Sequence, residues 1–484
     1  MEINRMFQDV EEAKKWLIGL FGENESFDVG MTDVHLWNMP VLCVYINGLI
    51  DGMTMTALLT DLQPREVPPY ELAESEVKQF LSYFPYHAVS STAEREEWMF
   101  AILSGQVGFI TPRGYSFTID VRTYPGRNPE EPDNEKVIRG SRDGFTENML
   151  QNTALIRRRI RDTSLRFELH KVTTKSKNDT IIAFMKGVAS EEHLDYIRKR
   201  LKDIKHDGLT MADKSLEEWL FKQRYHPLPF VRYTERPDTA AAHLLEGHIA
   251  IIVDTSPSVI LVPVTFFHHL QHAEEYRQAP AIGTGVRMIR FIGTFASLML
   301  IPLWFLLVKH EEHLPNFLNF IGTKEAGEIP LIFQLFAADI GLEFLRMASI
   351  HTPTPLSTAM GLIAGVLIGQ IAIDVGLFTP EVVLYSAISA IMTFAIPSYE
   401  MSVAMKAFRL FILLSTALLG VDGFFLALLI LFWYMCSIKP MNVPYLWPLV
   451  PFFPVAMKRV LLRSPMTTDA LRPYIVDSEQ RKRV

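Results

Sequence analysis

The stretch FIGTFASLMLIPLWFLLV, Phe291 to Val308, runs for 18 residues without a charge, near the length an α-helix needs to cross ~30 Å of hydrocarbon. No apolar run of spanning length precedes it in the 484-residue chain, whereas further apolar runs follow it. The sequence therefore divides near Thr284 into a polar first part and an apolar second part. A formal charge of −7 and a mean hydropathy just above zero fit such a hybrid better than a wholly soluble or a wholly membrane chain. The start, MEINRMFQDVEEAKKW, lacks the charged-then-apolar pattern of a signal peptide, so the polar part is expected to stay in the cytoplasm. Cys43 and Cys436, one in each part, suit packed thiols and support no disulfide framework.

The polar part repeats one pattern at a spacing of about 140 residues. A short strand ending in glycine reads VLCVYINGLID at Val41 to Asp51 and TIIAFMKGVAS at Thr180 to Ser190. A helix, a glycine and two strands follow in each copy, as WMFAILSGQVGFITPRGYSFTIDV around Gly105 and AAHLLEGHIAIIVDTSPSVILVPV around Gly247. Leu103 and Leu245, two residues before these glycines, suit packed helix ends with glycine beyond them. Between the copies, YPGRNPEEPDNEKVIRGSRDG reads as a linker, and FTENMLQNTALIRRRIRD as a connecting helix with Thr146 as its cap. Arg157, Arg158, Arg159 and Arg161 lie without interleaved aromatics, which favours a solvated or salt-bridged helix face over nucleic-acid binding. TERPDTAAAHLLEG is a second helix start, with Thr234 as cap, acids Glu235 and Asp238 in the first turn and Pro237 early; Arg236 is expected to pair across subdomains.

The apolar part shows spans at Ser357 to Val375 and Val382 to Ile396, the latter opened by Thr379, and a long region from Ala407 to Ile438 broken at GVDG. Basic residues before the first span and in the tail place both termini on the cytoplasmic side, which requires an even number of crossings. The segment IPLIFQLFAADIGLEFLRMASI carries Asp339, Glu343 and Arg346 on one helical face, which must look at protein, water or the interface. Four crossings with this segment re-entrant, or six with it spanning and the last region split, both satisfy the charge rule; four is the reading preferred. Gly361, Gly365 and Gly369 form a small-xxx-small stripe that lets a second helix approach, with Gln370 and Asp374 on an adjacent face. The fold class is thus mixed: a duplicated α/β cytoplasmic domain followed by an α-helical polytopic membrane domain. Its expected parts are a first α/β subdomain at 1–125, a linker and connecting helix at 126–165, a second α/β subdomain at 166–284, a transmembrane domain at 285–440 and a basic cytoplasmic tail at 441–484.

The segments EKVIRGSRDGFTENMLQNTALIRRRIRD, VRYTERPDTAAAHLLEGHIAIIVDTSPSV, HHLQHAEEYRQAP and GLEFLRMASIHTPTPLSTAMGLIAGVLIGQIAIDVGLFTPE resemble the A subunits of the GerA family of spore germination receptors. The VDTSPSV turn, DGLTMADK and AEEYRQAP look more like a sporulation branch of that family than like a nutrient-specific subunit. The matching residues include Arg139, Glu147, Asn148, Arg157, Arg158, Arg159, Thr234, Glu235, Arg236, Asp238, Glu246 and Gly247. The resemblance implies an integral protein of the spore inner membrane, in contact with membrane lipid. It further implies a homo-oligomer, a pentamer by analogy, working with other germination membrane proteins as an ion channel for monovalent cations that amplifies nutrient receptors. In that reading Ser357, Gly361, Gly365, Val366, Gly369, Gln370 and Asp374 belong to the pore or its helix packing, and Asp339, Glu343 and Arg346 couple the gate. A non-conducting scaffold or sensor that organises other germination proteins is the competing class. No Walker loop, Rossmann glycine set, GxSxG elbow or HExxH occurs, so no enzyme, cofactor or nucleic-acid partner is expected. His268, His269 and His272 could offer imidazoles to a metal, but a polar juxtamembrane helix explains them more simply.

Overall fold

The repeated pattern folds twice into the same sheet. In the computed structural model, β1 (Val29–Leu36), β2 (Met39–Ile46), β3 (Val89–Ser90), β4 (Val107–Ile110) and β5 (Ser116–Ile119) form an antiparallel sheet in the order β1-β2-β4-β5-β3. Strands β6 (Leu165–Val172), β7 (Asn178–Met185), β8 (Arg232–Thr234), β9 (Ile249–Val253) and β10 (Val259–Val262) repeat that order as β6-β7-β9-β10-β8. The structure describes residues 5–23, 25–36, 39–62, 89–123, 135, 137–223, 225–313, 315, 321–323, 328–351, 369–465, 472 and 476.

Helices α1 (Val10–Phe21), α2 (Gly52–Leu62) and α3 (Arg95–Leu103) accompany the first sheet. The connecting α4 (Met149–Arg159) leads to the second, with α5 (Glu191–Lys202), α6 (Ala212–Phe221) and α7 (Pro237–Glu246). The fully buried run IAIIV of β9 explains why the second sheet is covered, and Ile156 of α4 and Ala240 and Leu244 of α7 pack in the same core as Ile181, Ile252 and Leu261. Gly105 and Gly247 follow their helices at φ +96° and +103°, the left-handed geometry expected of a glycine there. Leu103 is buried, but Leu245 is exposed and Leu244 takes the inward place. The reason is that α7 continues to the residue beside its glycine, whereas Ser104 separates α3 from Gly105, and one residue turns a helix face by about 100°.

Three caps differ from expectation. Asn148 caps α4 by accepting from Leu150 and Gln151 N–H, while Thr146 Oγ1 accepts from the Asn148 N–H. Arg236, not Thr234, occupies the N-cap of α7, since Pro237 is the first helical residue. Thr379 holds the N-cap position of α11 (Pro380–Phe394) without a side-chain bond; its own N–H donates to Gln334 Oε1 at 2.8 Å.

Cys43 sits in β2 at 1% exposure, and burial pushes its thiol up to about 12. We expect it to resist alkylation at pH 8 in the folded protein and to react only in denaturant, which mass spectrometry of iodoacetamide-treated samples would read. Cys436 is partly exposed, so only one of the two thiols is packed as expected.

One compact unit comprises residues 1–224, 231–264 and 466–484; the other comprises 225–230 and 265–465. The second is helical, with α8 (Ala273–Arg277), α9 (Pro280–Lys309), α10 (Leu331–His351), α11, α12 (Tyr399–Ser437) and α13 (Pro454–Leu461). Among the described residues α9 and α12 are long and apolar enough to cross a membrane. The 39 residues of α12 do not form one rod. Gly420 stands at φ +63°, Ser415 Oγ donates to Gly423 O at 2.8 Å, and the Phe408 and Tyr434 rings lie 6.1 Å apart. A continuous helix would hold those two rings about 39 Å apart, so α12 is an antiparallel hairpin with arms 399–419 and 421–437.

Candidate functional site: a charge ladder among four helices

Helix α10 brings Asp339, Glu343 and Arg346 onto one face, and the first arm of α12 meets that face with Arg409, Lys406 and Ser402 in antiparallel order. Arg409 and Asp339 are 1% and 5% exposed in their side chains and form a two-pronged pair, Nε to Oδ2 at 3.1 Å and Nη2 to Oδ1. The remaining guanidinium nitrogen, Nη1, donates to Ser297 O of α9 at 2.9 Å and to Ser389 Oγ and Thr393 Oγ1 of α11 at 2.6 and 3.3 Å. One arginine thus ties four helices together, and small hydroxyl residues on α11 make room for it. A turn away, Lys406 pairs with Glu343, which also lies 3.7 Å from Arg346; Arg346 donates to Ser402 Oγ and rests 4.3 Å over the Tyr399 ring.

The ladder floors a cleft of about 280 Å³ whose walls include Phe344, Met347, Val403 and Leu410. Chemically it holds no paired nucleophile and base; it is a set of ion pairs in which Glu343 has two cationic neighbours to choose between. Lys406 and Arg409 escaped the sequence reading because charges at the start of an apolar run look like flanking residues. Their signal was the spacing, three apart, matching the four-residue spacing of Asp339 and Glu343 in a helix running the other way.

Of the expected pore residues, Ser357, Gly361, Gly365 and Val366 lie outside the described residues. Gly369 begins a described helical stretch at 369–374 in which Gln370 and Asp374 are exposed, and a Cβ at Gly369 would meet nothing within 4 Å among the described residues. Gln334, which was not anticipated, is buried at 2% exposure and bridges Ile329 O and the Thr379 N–H, setting the entry to α11. Two imidazoles of HHLQH have structural tasks: His268 closes a capping box with Thr265, and His272 accepts from the Glu274 N–H.

The profile described as Bacillus/Clostridium GerA spore germination protein matches residues 16–475. The chain belongs to the GerA family. It is 47% identical over 483 residues to stage V sporulation protein AF of Bacillus subtilis (strain 168), covering 99% of this chain and 97% of that one. It is 31% identical over 350 residues to the uncharacterized membrane protein YfkQ of the same organism, covering 72% of this chain and 68% of that one. Among solved structures, the N-terminal domain of the A subunit of the Bacillus megaterium spore germinant receptor GerK3 aligns with 55% of this chain and 99% of its own at 23% identity, with a TM-score of 0.43. The GerA family is one of spore germination proteins and not of enzymes, in keeping with the want of catalytic motifs.

The GerA motifs of the α/β part hold its two sheets together. Arg157 is fully buried and donates to Asp28 Oδ2 at 2.9 Å, Asp162 O and Leu165 O, so this member of the run takes the salt-bridged of the two forms expected and joins the two sheets from inside. Arg159 reaches Ser141 and Asp143, while Arg139, Glu147 and Arg158 are exposed. Arg236 pairs with Asp238 and donates to Glu135 O and Ser141 O, and Thr234 Oγ1 donates to Glu135 Oε2 at 2.6 Å. It therefore pins the linker to the second subdomain, where a bond to the first subdomain had been expected. Glu235 O receives the Phe145 N–H, Glu246 ends α7 half-buried, and Gly247 packs against Val476 of the tail.

Proposed function

We propose that this GerA-family chain is the membrane subunit of a spore germination complex, an oligomeric channel that releases monovalent cations and acts with, or amplifies, the nutrient receptors. The observation that carries it is the ladder: ionisable groups inside an apolar helical unit cost several kcal/mol to place and persist where they serve an ion path or its gate. In this reading the spore inner membrane holds the helical unit, with the large N-terminal part and the tail on the core side. Membrane lipid, further copies of the chain, five in the favoured assembly, and other germination membrane proteins are its partners.

The helix directions support six crossings over four. Helix α10 runs antiparallel to the first arm of α12, and α11 antiparallel to α9, as the Trp304–Tyr385 stack and the Ser297–Ser389 contact require. With the two arms of α12 and the segment Ser357 to Val375, the alternation closes with both ends on one side. Asp339 and Glu343 are engaged by Arg409 and Lys406, so of the three acids assigned to the pore and its gate Asp374, exposed in the described stretch 369–374, is the one left to attract a cation.

The test is potassium efflux from vesicles holding the purified chain. Gly365→Phe and Val366→Phe are expected to cut the flux by roughly tenfold or more, since a bulky ring at a constriction bars a hydrated ion, and Val366→Phe, outside the glycine stripe, is expected to do so with assembly intact. Unchanged flux removes this helix from the pore. A silent wild-type assembly that still binds other germination proteins supports the scaffold reading.

A further inference from the structure

The junction of α8, α9 and α13 has a packed ionic inside and an apolar outside. Glu275, 0% exposed, receives Arg287 Nε at 2.7 Å and pairs with Arg290. Arg287 Nη1 donates to Arg459 O and Val460 O at 3.1 and 3.0 Å, holding the C-terminal end of α13 against the first turns of α9. Arg463 completes the clasp through its N–H to Thr284 Oγ1 and its guanidinium to Tyr276 O.

On the outer side Ile282, Val286 and Ile289 are 58%, 37% and 73% exposed and fall at i, i+4 and i+7 of α9. That stripe runs on into Ile292 and Leu303 inside the 18-residue apolar span, so the medium around the span also bathes the stripe. Helix α13 presents Val455 and Lys458 at i and i+3, both exposed, with Phe452 exposed just before the helix and Leu462 exposed just after it. A lysine set between apolar residues can lay its stem on hydrocarbon and lift its ammonium to a phosphate.

Charge selects the occupant. With Glu275 and the two arginines that hold it set aside as the inner cluster, segments 273–290 and 452–465 carry Arg277, Lys458, Arg459 and Arg463 against Glu274. A second copy docking on this face by two-fold symmetry would set these cations against themselves, whereas an anionic headgroup neutralises them. We propose that α13 and the first three turns of α9 form an interfacial anchor that lies in the headgroup layer and prefers anionic phospholipid, with Lys458 on the lipid phosphate. The anchor rests on the membrane reading above.

The experiment uses the full chain with Cys43→Ala and Cys436→Ala, an environment-sensitive label at Val455→Cys, and nanodiscs of phosphatidylcholine alone or mixed with phosphatidylglycerol. A second label at Leu429→Cys, a residue 65% exposed on the second arm of α12, reports the span. The label at 455 is expected to be shielded from iodide in the phosphatidylglycerol discs and less so in the neutral ones. Lys458→Gln should raise the phosphatidylglycerol fraction needed for half shielding about fivefold. A label at 455 open to iodide in both lipids while 429 is shielded overturns the anchor and leaves the membrane reading standing; both labels open removes that reading too. Equal shielding in the two lipids overturns the anionic preference, and shielding in detergent that grows with protein concentration gives the face to a second copy.

Discussion

Asp339→Leu is expected to lower the stability of the helical unit by about 3–5 kcal/mol, because it leaves Arg409 charged, buried and without its carboxylate. Arg409→Met should cost less, since a stranded carboxylate can take up a proton and a stranded guanidinium cannot lose one. The double replacement, Asp339→Leu with Arg409→Met, should recover most of the loss, because an apolar pair of similar volume carries no desolvation cost. Melting followed by fluorescence-detected size exclusion in detergent would rank the three. A single variant that melts like the parent would show that the pair is not buried in the protein as purified. The double variant then separates structure from function: if it is folded and assembled but its ion flux no longer responds to the opening signal, the ladder is part of the gate and not only of the frame.

The α/β part was legible because duplication repeats its cues. A strand ending in glycine and a helix ending in glycine recur in both copies, and both copies fold with the same strand permutation. Caps were less legible: Thr146 and Asn148, or Thr234 and Arg236, stand two residues apart, and only the first helical turn decides which of them is half in the helix. The acids Asp339 and Glu343 could be recognised as a face that must avoid lipid, yet their partners lie more than sixty residues on, at Lys406 and Arg409, where no local pattern joins them. Arg157 reads as one of four similar arginines, and burial singles it out only once Asp28 arrives from the other subdomain. What sequence conveyed well was periodicity; what it withheld was the pairing of charges across elements.

Gly423→Leu is expected to open the α12 hairpin. A Cβ at that position would stand 2.8 Å from Leu419 Cβ and closer still to the Ser415 carbonyl, which is backbone and cannot move aside as a flexible side chain would. Gly420 supplies the reversal itself, at a positive φ that a residue with a side chain adopts only at a cost of about 1–3 kcal/mol. The two glycines of GVDG therefore divide the work, one turning the chain and the other letting the arms touch. Cysteines at Phe408 and Tyr434 in a chain otherwise free of cysteine, joined by a short bis-maleimide, should cross-link within the monomer in the parent and lose that cross-link in Gly423→Leu. A cross-link that survives would show that the close approach at Gly423 does not hold the arms together. Failure of the parent to cross-link would straighten α12, remove one crossing from the alternation and, because both termini must then be reconciled with the basic tail, undo the six-crossing reading.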